Sequence, residues 1–269
     1  MCKDCGCSGV DHGHEHEHVH DGHSHKHGHT HGVEHPHEHL HPHSHPHLVP
    51  AVAEARTVSV QQKILSRNDE QAARNRAWLS GHGVVAVNLI SSPGTGKTFL
   101  LEKTLEGLRG KVACAVITGD QRTDNDARRL QGKGAPVRQI ETINSCHLDA
   151  EQVGKLLPEV AGNGVKLLFI ENVGNLVCPS AFDLGENFKI ALLSTTEGED
   201  KPVKYPTLFS TAPVAVLTKM DLAPHLDWSA AACRTALRQV RPGVFIFELS
   251  AKTGQGMDAW LDYLVKLTE

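Results

Sequence analysis

The sequence predicts an α/β fold: a doubly wound, mostly parallel sheet with helices on both faces, preceded by a disordered histidine-rich arm. Three observations carry that expectation. Short apolar runs alternate with helix-like segments from residue 84 onward, the first run leads directly into "SSPGTGKT" (91–98), and the composition changes abruptly near residue 50.

The apolar runs are "VVAVNLI" (84–90), "VACAVIT" (112–118), a short "PVRQI" (136–140), "VKLLFIE" (165–171), "FKIALLS" (188–194), "PVAVLT" (213–218) and "VFIFELS" (244–250). Nearly continuous apolar strands separated by helices are what a parallel sheet covered on both faces requires. Helices are expected from Lys97, from about Asp126, over 149–161, over 228–239 and from Met257. In such a sheet ligands gather at the carboxyl ends of the strands. Upstream, "AEARTVSVQQKILSRNDEQAARNRAWL" (53–79) spaces Val60, Ile64, Leu65, Ala72, Trp78 and Leu79 among helix-forming charges, which predicts one or two amphipathic helices packed on the domain.

The first fifty residues follow different physics. Seventeen of the twenty histidines lie between His12 and His47, interleaved with Glu, Gly, Ser and Pro. Such a segment has almost nothing to bury against the entropy of ordering its backbone. The expected organisation is a Cys-rich metal motif over 1–7, a disordered metal-binding arm over 8–50, N-terminal helices over 51–82 and the nucleotide-binding domain over 83–269. Residues 1–50 hold seven acids and two bases, leaving 24 acids and 25 bases in the remainder, so the body lacks the basic excess of a nucleic-acid binder. No apolar run approaches the roughly 18 residues a membrane helix needs, and the first residues lack a signal-peptide pattern. A cytoplasmic protein without membrane partners is expected. In a reducing compartment, Cys2, Cys5 and Cys7 read as thiolate ligands or redox groups rather than as a disulfide framework.

"SSPGTGKT" keeps the Gly-Lys-Thr core of a phosphate-binding loop, with Ser91 where the usual pattern has its first glycine. Gly94, Thr95 and Gly96 turn backbone N–H groups inward around phosphate, and the helix entered through Phe99 offers the positive end of its dipole. Lys97 is expected on the terminal phosphates and Thr98 on Mg²⁺. "LTKMD" (217–221) followed one strand later by "SAK" (250–252) points to guanine: a carboxylate at Asp221 accepts from both the ring N1–H and the exocyclic amine, a pattern adenine does not offer. Lys219 would lie along the base, and the Ala251 N–H would serve the guanine O6, with Ser250 and Lys252 beside it. Thr218 stands where such motifs usually carry asparagine, which puts the amide tie between loops in doubt.

Acidic positions complete a hydrolytic centre. "TGDQRTDNDARR" (118–129) contributes Asp120 and, on the nucleotide side, Asp126, whereas Asp124 reads as a solvated helix start. "ENVGN" (171–175) places Glu171 three residues before Gly174, like an Asp-x-x-Gly switch with Glu for Asp. A carboxylate there can hold an Mg²⁺-bound water, and the glycine N–H can report the γ-phosphate. Lys97, Asp120 and Glu171 are the expected catalytic set, and Thr98, Asp120 and Glu171 the Mg²⁺ ligands. "NSCHLDA" (144–150) and "NLVCPSA" (175–181) supply Cys146, His147 and Cys178, a borderline-soft set suited to Zn²⁺ or Ni²⁺. Cys114 and Cys233 read as buried small hydrophobes.

Together "SSPGTGKT", "TGDQRTDNDA", "CHLDA", "ENVGNLVCPSAFDLGE" and "EGEDKPVKYPTLF" closely resemble the nickel-insertion GTPases of hydrogenase maturation, the HypB family, over about Ala53 to the C-terminus. That family belongs to a dimerising class with the urease nickel chaperone and the signal recognition particle GTPase. Urease chaperones place a proline between the Cys and His of the metal motif, whereas Cys146 and His147 are adjacent. The resemblance implies a GTP-closed homodimer presenting Cys146, His147 and Cys178 at its interface, with Lys204 approaching nucleotide across the dimer. It implies delivery of Ni²⁺ to the large-subunit precursor of a [NiFe]-hydrogenase, aided by a small zinc-containing partner protein. "MCKDCGC" matches the Cys-x-x-Cys-Gly-Cys motif of some family members; with Met1 removed, the free amine of Cys2 and three thiolates could form a square-planar set that Ni²⁺ accepts. The alternatives are a nickel or zinc store with a vestigial nucleotide site, and a chaperone for another enzyme such as urease.

Overall fold

A computed structural model describes the backbone of residues 50–120, 125–142, 145–162 and 164–269, and the side chains of these segments except 50–61, 120, 125 and 126. Cys2, Cys5, Cys7, the histidine arm up to residue 49 and Asp124 lie outside the described residues, as do the side chains of Asp120 and Asp126. The chain divides into two units, Met1–Val58 and Ser59–Glu269.

The second unit is built on one seven-stranded sheet of order β3-β2-β4-β1-β5-β6-β7, formed by β1 (Val85–Ser91), β2 (Cys114–Asp120), β3 (Val137–Glu141), β4 (Leu167–Glu171), β5 (Phe188–Ser194), β6 (Val214–Thr218) and β7 (Phe245–Glu248). Every adjacent pair is parallel. β1 sits between β4 and β5, so the connections diverge at its carboxyl end and open the crevice into which "SSPGTGKT" projects. The period-two alternation of a strand gives each face its own core. Val87, Leu89, Phe169 and Leu192 pack with Leu101, Leu105 and Leu108 of α2 (Lys97–Leu108) and with Trp260 and Leu264 of the C-terminal helix Met257–Lys266. On the other face, Ala86, Ile117, Leu168 and Ile170 meet Leu148 and the apolar side of the helix Ala150–Val160, whose start is fixed by a capping box between Asp149 and Gln152. A third cluster joins Ile90, Leu193 and Leu217 to Leu208, Phe209, Cys233 and Leu237.

The expected N-terminal helices form one helix, α1 (Pro50–Gly81). Its inward side differs from the apolar pattern: Asn68, Ala72, Asn75 and Leu79 are buried, whereas Ile64 is exposed. The i, i+4, i+7, i+11 spacing is that of a helical face, but two of the four positions are amides. Asn68 Nδ2 donates to the Asp183 carbonyl and its Oδ1 accepts the Ala150 N–H. Asn75 Nδ2 donates to the carbonyls of Ala150 and Leu184 at 2.7 and 2.9 Å. Gly185 permits the approach: its φ is +93°, and a Cβ there would lie 2.6 Å from Asn75 Cβ and 2.7 Å from the Ala72 carbonyl oxygen. Asn75→Ala removes two buried side-chain hydrogen bonds and is expected to cost roughly 1–3 kcal/mol, read as a lowered urea midpoint with an unchanged m-value.

Short helices over Cys178–Ala181, Lys201–Lys204 and Pro206–Thr211, and a 3-10 turn over Met220–His225, were not legible in the sequence. They are too short for a periodic signal, and all four contain a proline at or near the start or in the interior. Among the described residues, no helix is long and apolar enough to cross a membrane.

Candidate functional site

β1 ends at Ser91, and the chain turns through Gly94 (φ +75°) and Gly96 (φ +93°) before α2 begins at Lys97. Left-handed backbone at both glycines aims N–H groups into the loop, at the positive end of α2. The next two side chains converge on β4. Glu171 is only 2% exposed at its side chain, with Lys97 Nζ 3.8 Å from its Oε1. Thr98 Oγ1 donates to the same oxygen at 2.6 Å, and Thr118 Oγ1 donates to Oε2 at 3.3 Å. A carboxylate and a hydroxyl from two elements thus share one corner, a hard oxygen pair that fits Mg²⁺. Gly174 closes over the loop: a Cβ there would lie 3.1–3.2 Å from Cα, N and Cγ of Pro93, closer than an ordinary contact. Asp120 ends β2, whose Thr118 pairs in register with Glu171.

A pocket beside the loop is lined by Thr95, Gly96, Phe99 and Leu100 from the α2 side, by Thr218, Lys219, Asp221 and Leu222 after β6, and by Leu249, Ser250, Ala251 and Lys252 after β7. All three segments expected around a purine base therefore meet. Ser250 Oγ donates to Asp221 Oδ1 at 2.6 Å, joining the two base-side loops. Lys219, the one non-glycine residue with positive φ among those described (+58°), lays its side chain along the phosphate loop and donates to the Gly94 carbonyl at 2.7 Å. The doubt over Thr218 is resolved: its hydroxyl donates to the Thr95 carbonyl at 2.7 Å, tying β6 to the loop without an amide.

Sequence reasoning missed a second tie. Glu197 Oε1 accepts from Thr95 Oγ1 at 2.8 Å and from the Ser194 N–H at 3.0 Å. Lys201 Nζ donates to Ser92 Oγ at 2.8 Å and pairs with Glu197. Burial opposes ionisation of Glu197, but Lys201, Thr95, Ser92 and the Ser194 N–H together hold its carboxyl below the usual range. The available signal was "EGEDKP" itself. Lys204 behaves differently: it is 64% exposed, pairs with Asp200 at 2.6 Å and stands outside its own chain's pocket.

Thirty-two positions apart in sequence, the loop before Ala150 and the turn after β4 bring Cys146, His147 and Cys178 together. One ligand atom from each lies within 4.8 Å of the others, and all three residues are partly buried. Cys146 Sγ is 3.8 Å from His147 Nδ1. The His147 ring stacks on Phe182 at 3.8 Å between centroids. Burial lowers its pKa against the opposing pull of Asp149, favouring the neutral imidazole that a metal needs. Asn175 Oδ1 accepts the N–H groups of Val177 and Cys178, fixing the turn that presents the second thiol. Cys114 and Cys233 are buried instead, and burial pushes both thiols up to about 12, consistent with packing. Two thiols and an imidazole gathered this closely suit a borderline-soft divalent ion.

Comparison with known proteins agrees with this geometry. Residues 85–248 match the family model described as the CobW/HypB/UreG nucleotide-binding domain. The chain is 49% identical over 215 residues to the hydrogenase maturation factor HypB of Azotobacter chroococcum mcd 1, covering 80% of this chain and 70% of the relative. It is 46% identical to that of Escherichia coli K12, covering 80% and 74%. Among solved structures, HypB from Archaeoglobus fulgidus superposes with a TM-score of 0.72 at 36% identity, covering 76% of this chain and all of the other. HypB from Helicobacter pylori, crystallised in complex with nickel, gives 0.70 at 35% identity, covering 74% and 94%. The sheet, the phosphate loop and these matches together place the chain in the HypB family of hydrogenase maturation factors, within the P-loop GTPases.

Proposed function

We propose that this chain is a GTP-hydrolysing nickel metallochaperone that delivers Ni²⁺ to the large-subunit precursor of a [NiFe]-hydrogenase. One observation carries the reading: the segment that begins at Glu171, in the phosphate corner, ends seven residues later at Cys178, in the Cys146–His147–Cys178 cluster. A single short stretch therefore serves both nucleotide and metal. The nickel complex of the Helicobacter pylori relative supports the choice of cargo.

In this reading Gly94, Thr95, Gly96 and Phe99 hold the phosphates by backbone, and Lys97 neutralises the terminal ones. Asp221, Lys219, Thr218, Ser250, Ala251 and Lys252 select guanine. Thr98, Glu171 and Asp120 would hold Mg²⁺, which when bound offsets charge on the β- and γ-phosphates. Glu171 and Asp120 orient the hydrolytic water, Gly174 senses the γ-phosphate and Asp126 supports the nucleotide side. Three ligands from one chain leave coordination positions open. A homodimer closed by GTP supplies up to six across its interface, with Lys204 reaching the opposite nucleotide. Cys2, Cys5 and Cys7 form a separate nickel site, and residues 8–50 form a lower-affinity store. Zn²⁺ competes at the thiolate sites. The small zinc-containing maturation protein assists transfer, which takes place in the cytoplasm.

The test is titration of Ni²⁺ into the chain with GDP and with a non-hydrolysable GTP analogue. A store with a vestigial nucleotide site gives identical curves, whereas a nucleotide-gated chaperone gives curves that differ. Deleting residues 1–50 is expected to lower nickel stoichiometry sharply while leaving GTP hydrolysis nearly unchanged, because that segment has no apolar face to dock on the domain. Loss of hydrolysis on deletion would assign the segment a structural role.

A further inference from the structure

We infer that Asn172 is the positioning residue that carries nucleotide state from the phosphate corner to the metal loop; this rests on the nucleotide-gated reading above. Glu171 closes β4 and faces Thr98 and Lys97. Asn172 follows it and, by strand alternation, faces the opposite side of the sheet. There its Oδ1 accepts the Leu148 N–H at 3.2 Å, one residue beyond His147. Its own N–H donates to the Leu89 carbonyl of β1, so the residue still moves with the sheet.

Asn172 is one end of a buried polar chain. Its Nδ2 donates to Asn88 Oδ1 at 3.3 Å, Asn88 Nδ2 donates to Glu186 Oε1 at 3.1 Å, and Glu186 Oε2 accepts the Leu184 N–H at 2.7 Å. Asn172, Asn88 and Glu186 are 1%, 0% and 4% exposed. A chain of this kind has no solvent to re-pair with when one member shifts, so its members move together. Its two backbone ends belong to the two segments that bear the metal ligands: Leu148 lies beyond Cys146 and His147, and Leu184 lies beyond Cys178 and Phe182.

Leu148 is seated independently on the other nucleotide strand. A Cβ on Gly119 would lie 2.7 Å from Leu148 Cδ2, so the leucine rests on bare backbone immediately before Asp120. The metal loop is therefore anchored to β4 by a hydrogen bond and to β2 by packing, at the ends that carry Glu171 and Asp120. Movement of either strand end reaches His147 through one residue. A linkage of two sites through an element that both bias is the physical requirement for coupling.

The test uses the full-length chain carrying Cys2→Ser, Cys5→Ser and Cys7→Ser. Thiolate-to-nickel charge-transfer absorption then reports only Cys146 and Cys178, because arm imidazoles give no such band and Cys114 and Cys233 are buried. In this parent, exchanging GDP for a non-hydrolysable GTP analogue is expected to change the apparent Ni²⁺ affinity by roughly 5- to 150-fold. Added Asn172→Ala is expected to bring that ratio to within about twofold of one while leaving basal GTP hydrolysis within about threefold, because it removes the link and neither site. A parent ratio that survives Asn172→Ala overturns the relay and leaves the gated function standing. A parent ratio of one removes the gated function and the relay with it. Hydrogen exchange of the unsubstituted chain provides a readout that needs no variant: the Leu148 and Leu184 amides should change protection together between GDP and the analogue. Change at neither, or at only one, overturns the relay.

Discussion

Replacing Asp221 with asparagine is expected to weaken GTP by about 3–4 kcal/mol, on the order of 10²- to 10³-fold, because a neutral amide replaces a charged acceptor and turns a donor toward the exocyclic amine. The same change should favour xanthine nucleotide, because the new amide can donate to the carbonyl that replaces the exocyclic amine of guanine. The position is well prepared for this exchange. Asp221 already receives the Ser250 hydroxyl at 2.6 Å, which ties the carboxylate to the β7 loop and leaves it committed to one direction. Competition binding with GTP, XTP and ATP measures the outcome, and equal affinity of the unsubstituted chain for ATP and GTP would sink the base assignment. Lys97→Ala is the companion variant: hydrolysis should disappear while nickel binding by residues 1–50 persists.

The second large effect concerns Cys146 and Cys178. Together with His147 they gather three ligand atoms within 4.8 Å of one another. If GTP brings two chains together there, bound metal must strengthen the GTP-state dimer by the same factor by which dimerisation strengthens metal binding. Sedimentation of the chain lacking residues 1–50, with and without analogue and with and without stoichiometric Ni²⁺ or Zn²⁺, should give the tightest dimer when both are present. Removing residues 1–50 keeps stray metal from cross-linking subunits through histidine. In Cys146→Ala with Cys178→Ala the metal-dependent increment should vanish while the nucleotide-dependent increment remains. Dimerisation equal under all four conditions, or coupling that persists in the double variant, would leave these cysteines as packing residues.

Much of the domain was legible because its signals are local. A buried parallel strand must be apolar along its length, so β1, β2, β4, β5 and β6 appear as runs, whereas the edge strand β3 (VRQIE) is short and mixed and β7 starts a residue later than its run, at Phe245. Gly94 and Gly96 were readable because only glycine takes their left-handed backbone cheaply. Long-range polar contacts left no such trace. Asn68 and Asn75 look like solvent-facing residues of a charged helix, yet they are buried because the carbonyls of Ala150, Asp183 and Leu184 need donors at that surface.

The sequence by itself determined the element order, the phosphate loop, the segments that line the pocket beside it and which cysteines pack in the core, since each depends on residue type and near-neighbour spacing. The sequence also proposed Cys146, His147 and Cys178 as one set, which the structure gathers within 4.8 Å; only the tertiary structure decided that the Thr218 hydroxyl replaces an amide tie and that Glu197 and Lys201 brace the loop. Those facts depend on strand order. Placing β4 between β1 and β2 puts the end of Glu171's strand beside the phosphate loop on one face and beside Leu148 on the other, a juxtaposition that no local pattern encodes.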